Sequence, residues 1–435
     1  MKKWLLASSL TLVISAGTFA FPAAHVHTAE AAVPSTTIML DGYPLPFPTA
    51  PVIKNGATLV PFRAISEALG VQVSWNQTAQ TITATATNHN STTNSTTNST
   101  TNSTTNSTTR KIVLTMNSKM ASVDGKNVSL TIAPQTINNT TMIPLSFFSQ
   151  QFGATVNWNA ATRTVAITSP IKDLYTMGFY AISSYDERAH VPDLDAVAYG
   201  WSRITTDGEF STTSTEYKWP QAAGTDTPES LIQNTAANGT APYLMVYAVD
   251  GHGELTRNLE NQELQNRTIQ AMIDTATAKG FKGILLDFEG LGWSGDKAKA
   301  RSDYNAFVQK LSTAAHSAGL KLTLALHPLN SSYTGYDYKQ LGLLADDLII
   351  MAYDYTDKKS PEPMDKVNDA ILMALQNTSP AKLILGISLS SENATSVNAK
   401  IGLAKRYQLK GVALWRLGII GQNNWAAMQK SITFK

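Results

Sequence analysis

The sequence predicts an α/β protein: a C-terminal (β/α)8 TIM barrel preceded by a small, duplicated α+β domain. Three observations predict it. From Lys172 to Lys435, eight short apolar runs alternate with helical patterns over 264 residues, close to the ~250 typical of a parallel eight-stranded barrel. Ahead of that region the chain repeats itself. Thr58-Leu59-Val60-Pro61-Phe62 corresponds to Thr141-Met142-Ile143-Pro144-Leu145, while Gly70, Trp75 and Thr81-Ile82 correspond to Gly153, Trp158 and Thr164-Val165, every pair offset by 83 positions. Finally, 43% of the residues are hydrophobic and none is cysteine. That is a globular composition without a disulfide framework, a catalytic thiol or cysteine-ligated zinc.

The elements follow in chain order. Met1-Lys2-Lys3 is a basic start, Trp4 to Phe21 an uncharged and mostly apolar run, and Ala29-Glu30-Ala31 a small-residue cleavage motif, with Thr18-Phe19-Ala20 as a second. Residues 1–31 therefore read as a signal peptide, and the mature protein is expected to be secreted or cell-wall associated, with no membrane segment after cleavage. Residues 32–168 form the duplicated domain. In its first copy a strand runs through Pro61 into a helix at Ala64–Leu69, Gly70 stands at the C-cap, and Val71-x-Val73-x-Trp75 and Thr81-x-Thr83 form a strand pair. Asn90 to Thr109 is five copies of Asn-Ser-Thr-Thr, too polar to bury surface and expected as a flexible loop or linker. Trp75 and Trp158 are expected to pack in the core rather than to stack on sugars.

The 137 residues of this domain carry seven basic and three acidic side chains, against 25 basic and 28 acidic in the barrel. An overall net charge of +2 gives no field to gather nucleic acid; the weakly basic domain suits an anionic cell wall instead. The one histidine of this domain is His89, and His190, His252, His316 and His327 show no metal-ligand spacing, so no metal site and no cofactor is expected. A monomer is expected.

Barrel strands are predicted at Met177–Ser183, Asp195–Tyr199, Pro242–Tyr247, Gly283–Phe288, Leu320–His327, Asp347–Tyr353, Lys382–Ile387 and Gly411–Trp415. Between them, Asp226-Thr227-Pro228-Glu229 starts a helix, residues 262–279 form another closed by Gly280, and Tyr304, Phe307, Val308, Leu311 and Ala315 make one apolar helical stripe.

Chemistry in such a barrel sits at the C-terminal strand ends. Strand four ends in Leu285-Leu286-Asp287-Phe288-Glu289. The i, i+2 spacing puts both carboxylates on one face, about 7 Å apart along the strand. Two carboxylates held together raise one pKa, which yields the proton donor that acetal cleavage needs. Strand six supplies Met351, Tyr353 and a third carboxylate, Asp354, and strand eight supplies Trp415, an indole able to stack on a sugar. Tyr180 in strand one and Trp201 after strand two are further substrate-binding candidates, and Trp293 after strand four is a candidate for rim stacking.

On these residues the region from about Lys172 to the C-terminus resembles glycoside hydrolase family 18. The family's strand-four pattern, D-G-x-D-x-D-x-E, corresponds to Lys282-Gly283-Ile284-Leu285-Leu286-Asp287-Phe288-Glu289: the last Asp and the Glu are kept, and Lys282 and Leu285 replace the first two Asp. Met351-Ala352-Tyr353-Asp354, Leu385-Gly386-Ile387 and Gly411 to Gly418 resemble the branch that cuts spore and cell-wall glycans. The resemblance implies a retaining, substrate-assisted mechanism acting on N-acetylglucosamine-containing glycans of peptidoglycan or chitin type. Glu289 would be acid and then base, Asp287 would stabilise the acetamido group, Tyr353 would orient its oxygen, and Trp415 would floor the sugar. Without the aspartate at Leu285, Asp287 is expected to stay turned toward Glu289. The other reading is a non-catalytic glycan-binding barrel tethered at the wall. Residues 36–168 are similar to the copper amine oxidase N-terminal-like domain, on Asn55-Gly56-Ala57-Thr58-Leu59-Val60-Pro61, Leu69-Gly70 and Val73-x-Trp75-Asn76.

Overall fold

The computed structural model describes residues 36–91 and 105–435. The expected signal peptide and residues 92–104 of the Asn-Ser-Thr-Thr tract lie outside the described residues.

The two copies of the N-terminal domain fold alike. Strand Ala57–Pro61 runs into helix Phe62–Ala68 and strand Thr140–Pro144 into helix Leu145–Gln151. Each proline, with its fixed φ, sits at the strand-to-helix corner. The two strands pair antiparallel, Val60 opposite Ile143. The first described strand, Thr37–Leu40, pairs parallel with Thr164–Thr168 of the second copy, so the chain start completes the second copy's sheet.

Two expectations are corrected in this domain. Strands Thr81–Ser91 and Thr105–Thr115 pair antiparallel as far as Ser91 opposite Thr105, so both ends of the repeat tract are strand rather than linker. Threonine is β-branched and favours extended backbone, and the neighbouring strand satisfies its peptide groups. Trp75 and Trp158 are not core residues: they are 37% and 48% exposed. Both lie on strands at the edge of their sheets, where a large side chain is covered from one side only.

Eight parallel strands close the barrel: β1 (Tyr175–Tyr180), β2 (Ala196–Ile204), β3 (Ala241–Val249), β4 (Gly283–Glu289), β5 (Lys321–Leu326), β6 (Asp347–Ile350), β7 (Leu383–Ser388) and β8 (Gly411–Trp415). β1 pairs with both β2 and β8. Helix Pro228–Ala237 is capped by Thr227 through a reciprocal bond with Ser230, and helix Gln262–Lys279 ends at Gly280 with φ 80°. The stripe from Tyr304 to Ala315 lies on helix Lys297–Ser317, fully buried.

Side chains alternate along each strand. On β4, Ile284, Leu286 and Phe288 pack against the helix layer. Leu285 joins Met177, Met245, Ala325 and Ile349 in the layer that fills the barrel axis, and Asp287 and Glu289 follow above it on the same face. At the junction with the N-terminal domain, Arg406 donates to the carbonyls of Tyr43 and Pro44, 3.1 Å each. No helix among the described residues is long and apolar enough to cross a membrane.

Candidate active site

The C-terminal mouth of the barrel opens into a cavity of about 250 Å³. Asp287 and Glu289 of β4 line it together with Met351, Tyr353 and Asp354 after β6 and Trp415 of β8. Six of the eight residues singled out in the sequence thus share one pocket.

Local structure explains their poses. Asp287 stands opposite Tyr247 of β3 and Ala325 of β5, and the small alanine leaves room beside the carboxyl. Leu285, fully buried one layer deeper, gives Asp287 no polar partner on the axis side. Asp287 is 3% exposed, and its Oδ1 lacks a hydrogen-bond partner. Tyr353 leans over Gly386 of β7, where a Cβ would lie 3.1 Å from the tyrosine ring; a side chain there would displace it. Phe179 packs edge-on against Trp415 at 5.2 Å, which fixes the indole as a wall of the pocket.

β6 ends at Ile350, earlier than expected, and the chain then turns. The Tyr353 amide bonds the Met351 carbonyl at 2.9 Å, and Asp354 takes φ 62°. Glu362 accepts from the amides of Asp354 and Tyr355 at 3.0 and 3.1 Å, which satisfies the turn. The amide of Glu362 donates to Glu392, its carbonyl accepts from Lys400, and Lys400 pairs with Glu392 at 2.9 Å, both almost fully buried.

Electrostatics divide the roles. Burial pushes the Asp287 carboxyl well above the usual carboxylate range, and Glu289 adds to the effect. Burial, then Asp354, pushes Glu289 up to about 7, with Lys358 pulling it back. Glu289 therefore still holds its proton in about half of the molecules at pH 7 and in most of them below it, the state a general acid needs. The Tyr353 phenol is pushed up by burial and by both carboxyls, so it keeps its proton to donate.

Two predicted residues lie elsewhere. Tyr180 and Trp201 are 5% and 4% exposed and pack with Tyr199 in the layer between sheet and helices. On β1 it is Phe179, not Tyr180, that faces the axis. On β2 a register shift between Tyr199 and Ser202 interrupts the alternation that would have separated the two faces. Trp293 is 61% exposed, on the rim.

Three lining residues were missed: Tyr217, Tyr247 and Lys358. Tyr247 had a signal, because Tyr243, Met245 and Tyr247 alternate on β3 toward the axis. It stacks on Tyr217 at 4.1 Å. His327 lines the cavity as well; it stacks on Tyr333 at 4.0 Å and holds its Nε2 3.6 Å from Glu289. Burial pushes its pKa down to about 4, so it is neutral there.

A parallel eight-stranded barrel with a buried carboxyl pair on strand four, a phenol after strand six and an indole on strand eight belongs to the class of glycoside-hydrolase barrels. Residues 175–411 match "Glycosyl hydrolases family 18", and the chain belongs to that family. Residues 39–167 match "Copper amine oxidase N-terminal domain". The cortical fragment-lytic enzyme of Bacillus subtilis is 24% identical over 241 residues, covering 40% of this chain and 55% of that protein. Its Bacillus anthracis counterpart is 26% identical over 212 residues, covering 42% and 48%. The chain thus spans about half the length of the curated relatives it matches. Among solved structures, a class V chitinase from Pseudomonas fluorescens has a TM-score of 0.51 at 19% identity, covering 59% of this chain and 99% of that one. The Bacillus cereus spore cortex-lytic enzyme SleL has 0.50 at 19% identity, covering 61% and 76%. At those identities the likeness is one of fold.

Proposed function

We propose that this protein is a secreted or wall-associated retaining glycosidase. It hydrolyses β-1,4 bonds of N-acetylglucosamine-containing glycans, peptidoglycan first and chitin-type chains second, by substrate-assisted catalysis. The observation that carries the reading is the pair Asp287–Glu289 at the barrel mouth, Asp287 buried and Glu289 holding its proton up to about 7. The cortex-lytic names of the relatives point to peptidoglycan.

In this mechanism Glu289 gives its proton to the glycosidic oxygen as the C1–O bond breaks. The carbonyl oxygen of the sugar's own 2-acetamido group attacks C1 and forms an oxazolinium ion. Asp287 accepts a hydrogen bond from the acetamido N–H through its carboxyl oxygen, which places that oxygen's dipole beside the developing positive charge. Tyr353 donates to the acetamido oxygen, Met351 and Trp415 pack against the sugar ring, and Asp354 supports the β6 side. Glu289, now a carboxylate, takes a proton from the water that opens the ring, and the configuration at C1 is retained. The duplicated domain, residues 32–168, holds the enzyme at the wall, and the protein acts as a monomer.

The test is reducing-end release from purified peptidoglycan and from chitin oligomers, wild type against Glu289→Gln. Release by wild type that Glu289→Gln abolishes is the expected result. Binding of both glycans without release by wild type would instead make the barrel a glycan-binding module.

A further inference from the structure

Lys358 is the one cation among the described residues that line the catalytic cavity. Its Nζ sits 2.8 Å from Asp354 in an ion pair whose side chains are 67% and 42% exposed. An exposed pair of this kind adds little to stability, yet the backbone goes to some trouble to form it. Both partners take left-handed conformations, φ 62° at Asp354 and 61° at Lys358, which residues with a Cβ disfavour and which cluster at functional sites. The turn between them is held at both ends. Asp357 accepts from the amides of Lys359 and Ser360 at 3.0 and 2.9 Å, and Glu362 fixes Asp354 from the buried Lys400–Glu392 pair. Other nearby cations have partners of their own and do not line the cavity: Arg416 donates to Ser183 at 3.2 Å, and Arg203 donates to the Ile204 carbonyl at 3.2 Å and lies over the ring of Tyr247.

We propose that Lys358 is a specificity-determining residue that receives a carboxylate on the substrate. This rests on the reading of the barrel as a site for N-acetylated glycans. A chitin-type chain is uncharged, whereas muramic units carry a lactyl group at O3 that is either a free carboxylate or amide-linked to a peptide bringing carboxylates of its own. Of the other ionisable groups lining the cavity, His327 is neutral and Asp287, Glu289 and Asp354 are carboxyls, so none brings a positive charge to meet it. Lys358 offsets Asp354 and presents donors that an approaching carboxylate can share, so the pocket selects acidic glycans over neutral ones.

The test uses the Glu289→Gln protein, so that nothing is cleaved, and measures by calorimetry the affinity ratio between N-acetylglucosaminyl-N-acetylmuramic acid and chitobiose. The lysine-bearing protein should prefer the acidic disaccharide, and the preference should shrink with added salt. Adding Lys358→Met should lower the ratio by about fivefold, and Lys358→Glu should invert it, with thermal unfolding confirming that each variant folds. A ratio unmoved by either substitution, a parallel loss of both ligands, or no binding of either would overturn the proposal. If the ratio responds as expected while wild type releases no reducing ends from any glycan, the hydrolase reading fails and Lys358 stands as a reader of acidic glycans.

Discussion

Glu289→Gln should stabilise the protein while abolishing turnover, and the stabilisation should grow with pH. The folded protein holds the Glu289 proton to about 7, against an ordinary value of 4.5. At ~1.36 kcal/mol per unit the full shift corresponds to roughly 3 kcal/mol. The side chain is 31% exposed, so solvent screening reduces this to about 1.5 kcal/mol. Because the folded value is raised, the proton favours the folded state fully below pH ~4.5, and that contribution is lost as pH rises through ~7. Between pH ~4.5 and ~7 the wild type gives up the proton on unfolding, and above pH ~7 it holds a partly buried charge when folded; glutamine does neither. The difference in melting temperature between variant and wild type should therefore be smallest near pH 4.5 and reach about 3–6 °C by pH 8. Scanning calorimetry from pH 4.5 to 8.5 measures it. A difference that stays flat across this range would refute the burial argument for Glu289. The wild-type rate should fall on the alkaline side with a midpoint near 7, as the general acid loses its proton.

Tyr353→Phe removes the phenol donor but not the ring that packs over Gly386. It should lower kcat about a hundredfold with KM changed only a few-fold, read from initial rates on chitin oligomers. Leu285→Asp places a carboxyl in the fully buried axial layer beside Met245, Ala325 and Ile349. It should cost about 3 kcal/mol in denaturant unfolding, and an unchanged midpoint would mean that the layer is wetter than its burial indicates. Lys400→Met leaves Glu392 buried without its partner and should destabilise the barrel by about 3–5 kcal/mol. A stabilised Lys400→Met variant would show that the pair serves only to position the turn.

The carboxyl pair was legible because alternation on β4 needs no tertiary knowledge: residues 285, 287 and 289 share a face in any extended strand. Helices with caps and one apolar stripe, such as Lys297–Ser317, were equally legible. Tyr180 and Trp201 were not, because strands of a parallel barrel are buried on both faces. Their sequence reads as apolar throughout, so nothing in it distinguishes axis from helix layer, and the β2 bulge removes the period as well. Tyr217 and Lys358 sit at positive φ in aperiodic segments. What brings them to the pocket is the turn geometry, set in the case of Lys358 by Glu362, Glu392 and Lys400 from three separate stretches of chain. The exposure of Trp75 and Trp158 depended on which strands became sheet edges, a property of topology rather than of composition.

The register of the long hairpin, from Thr81 opposite Thr115 to Ser91 opposite Thr105, bears on which changes of repeat number the sheet can accept. Here the unit is four residues, twice the two-residue period of a strand. Gaining or losing one unit shifts a strand by an even number of residues and turns no side chain to the opposite face. A change of length by whole units therefore leaves the flanking strands with the same side chains on the same faces.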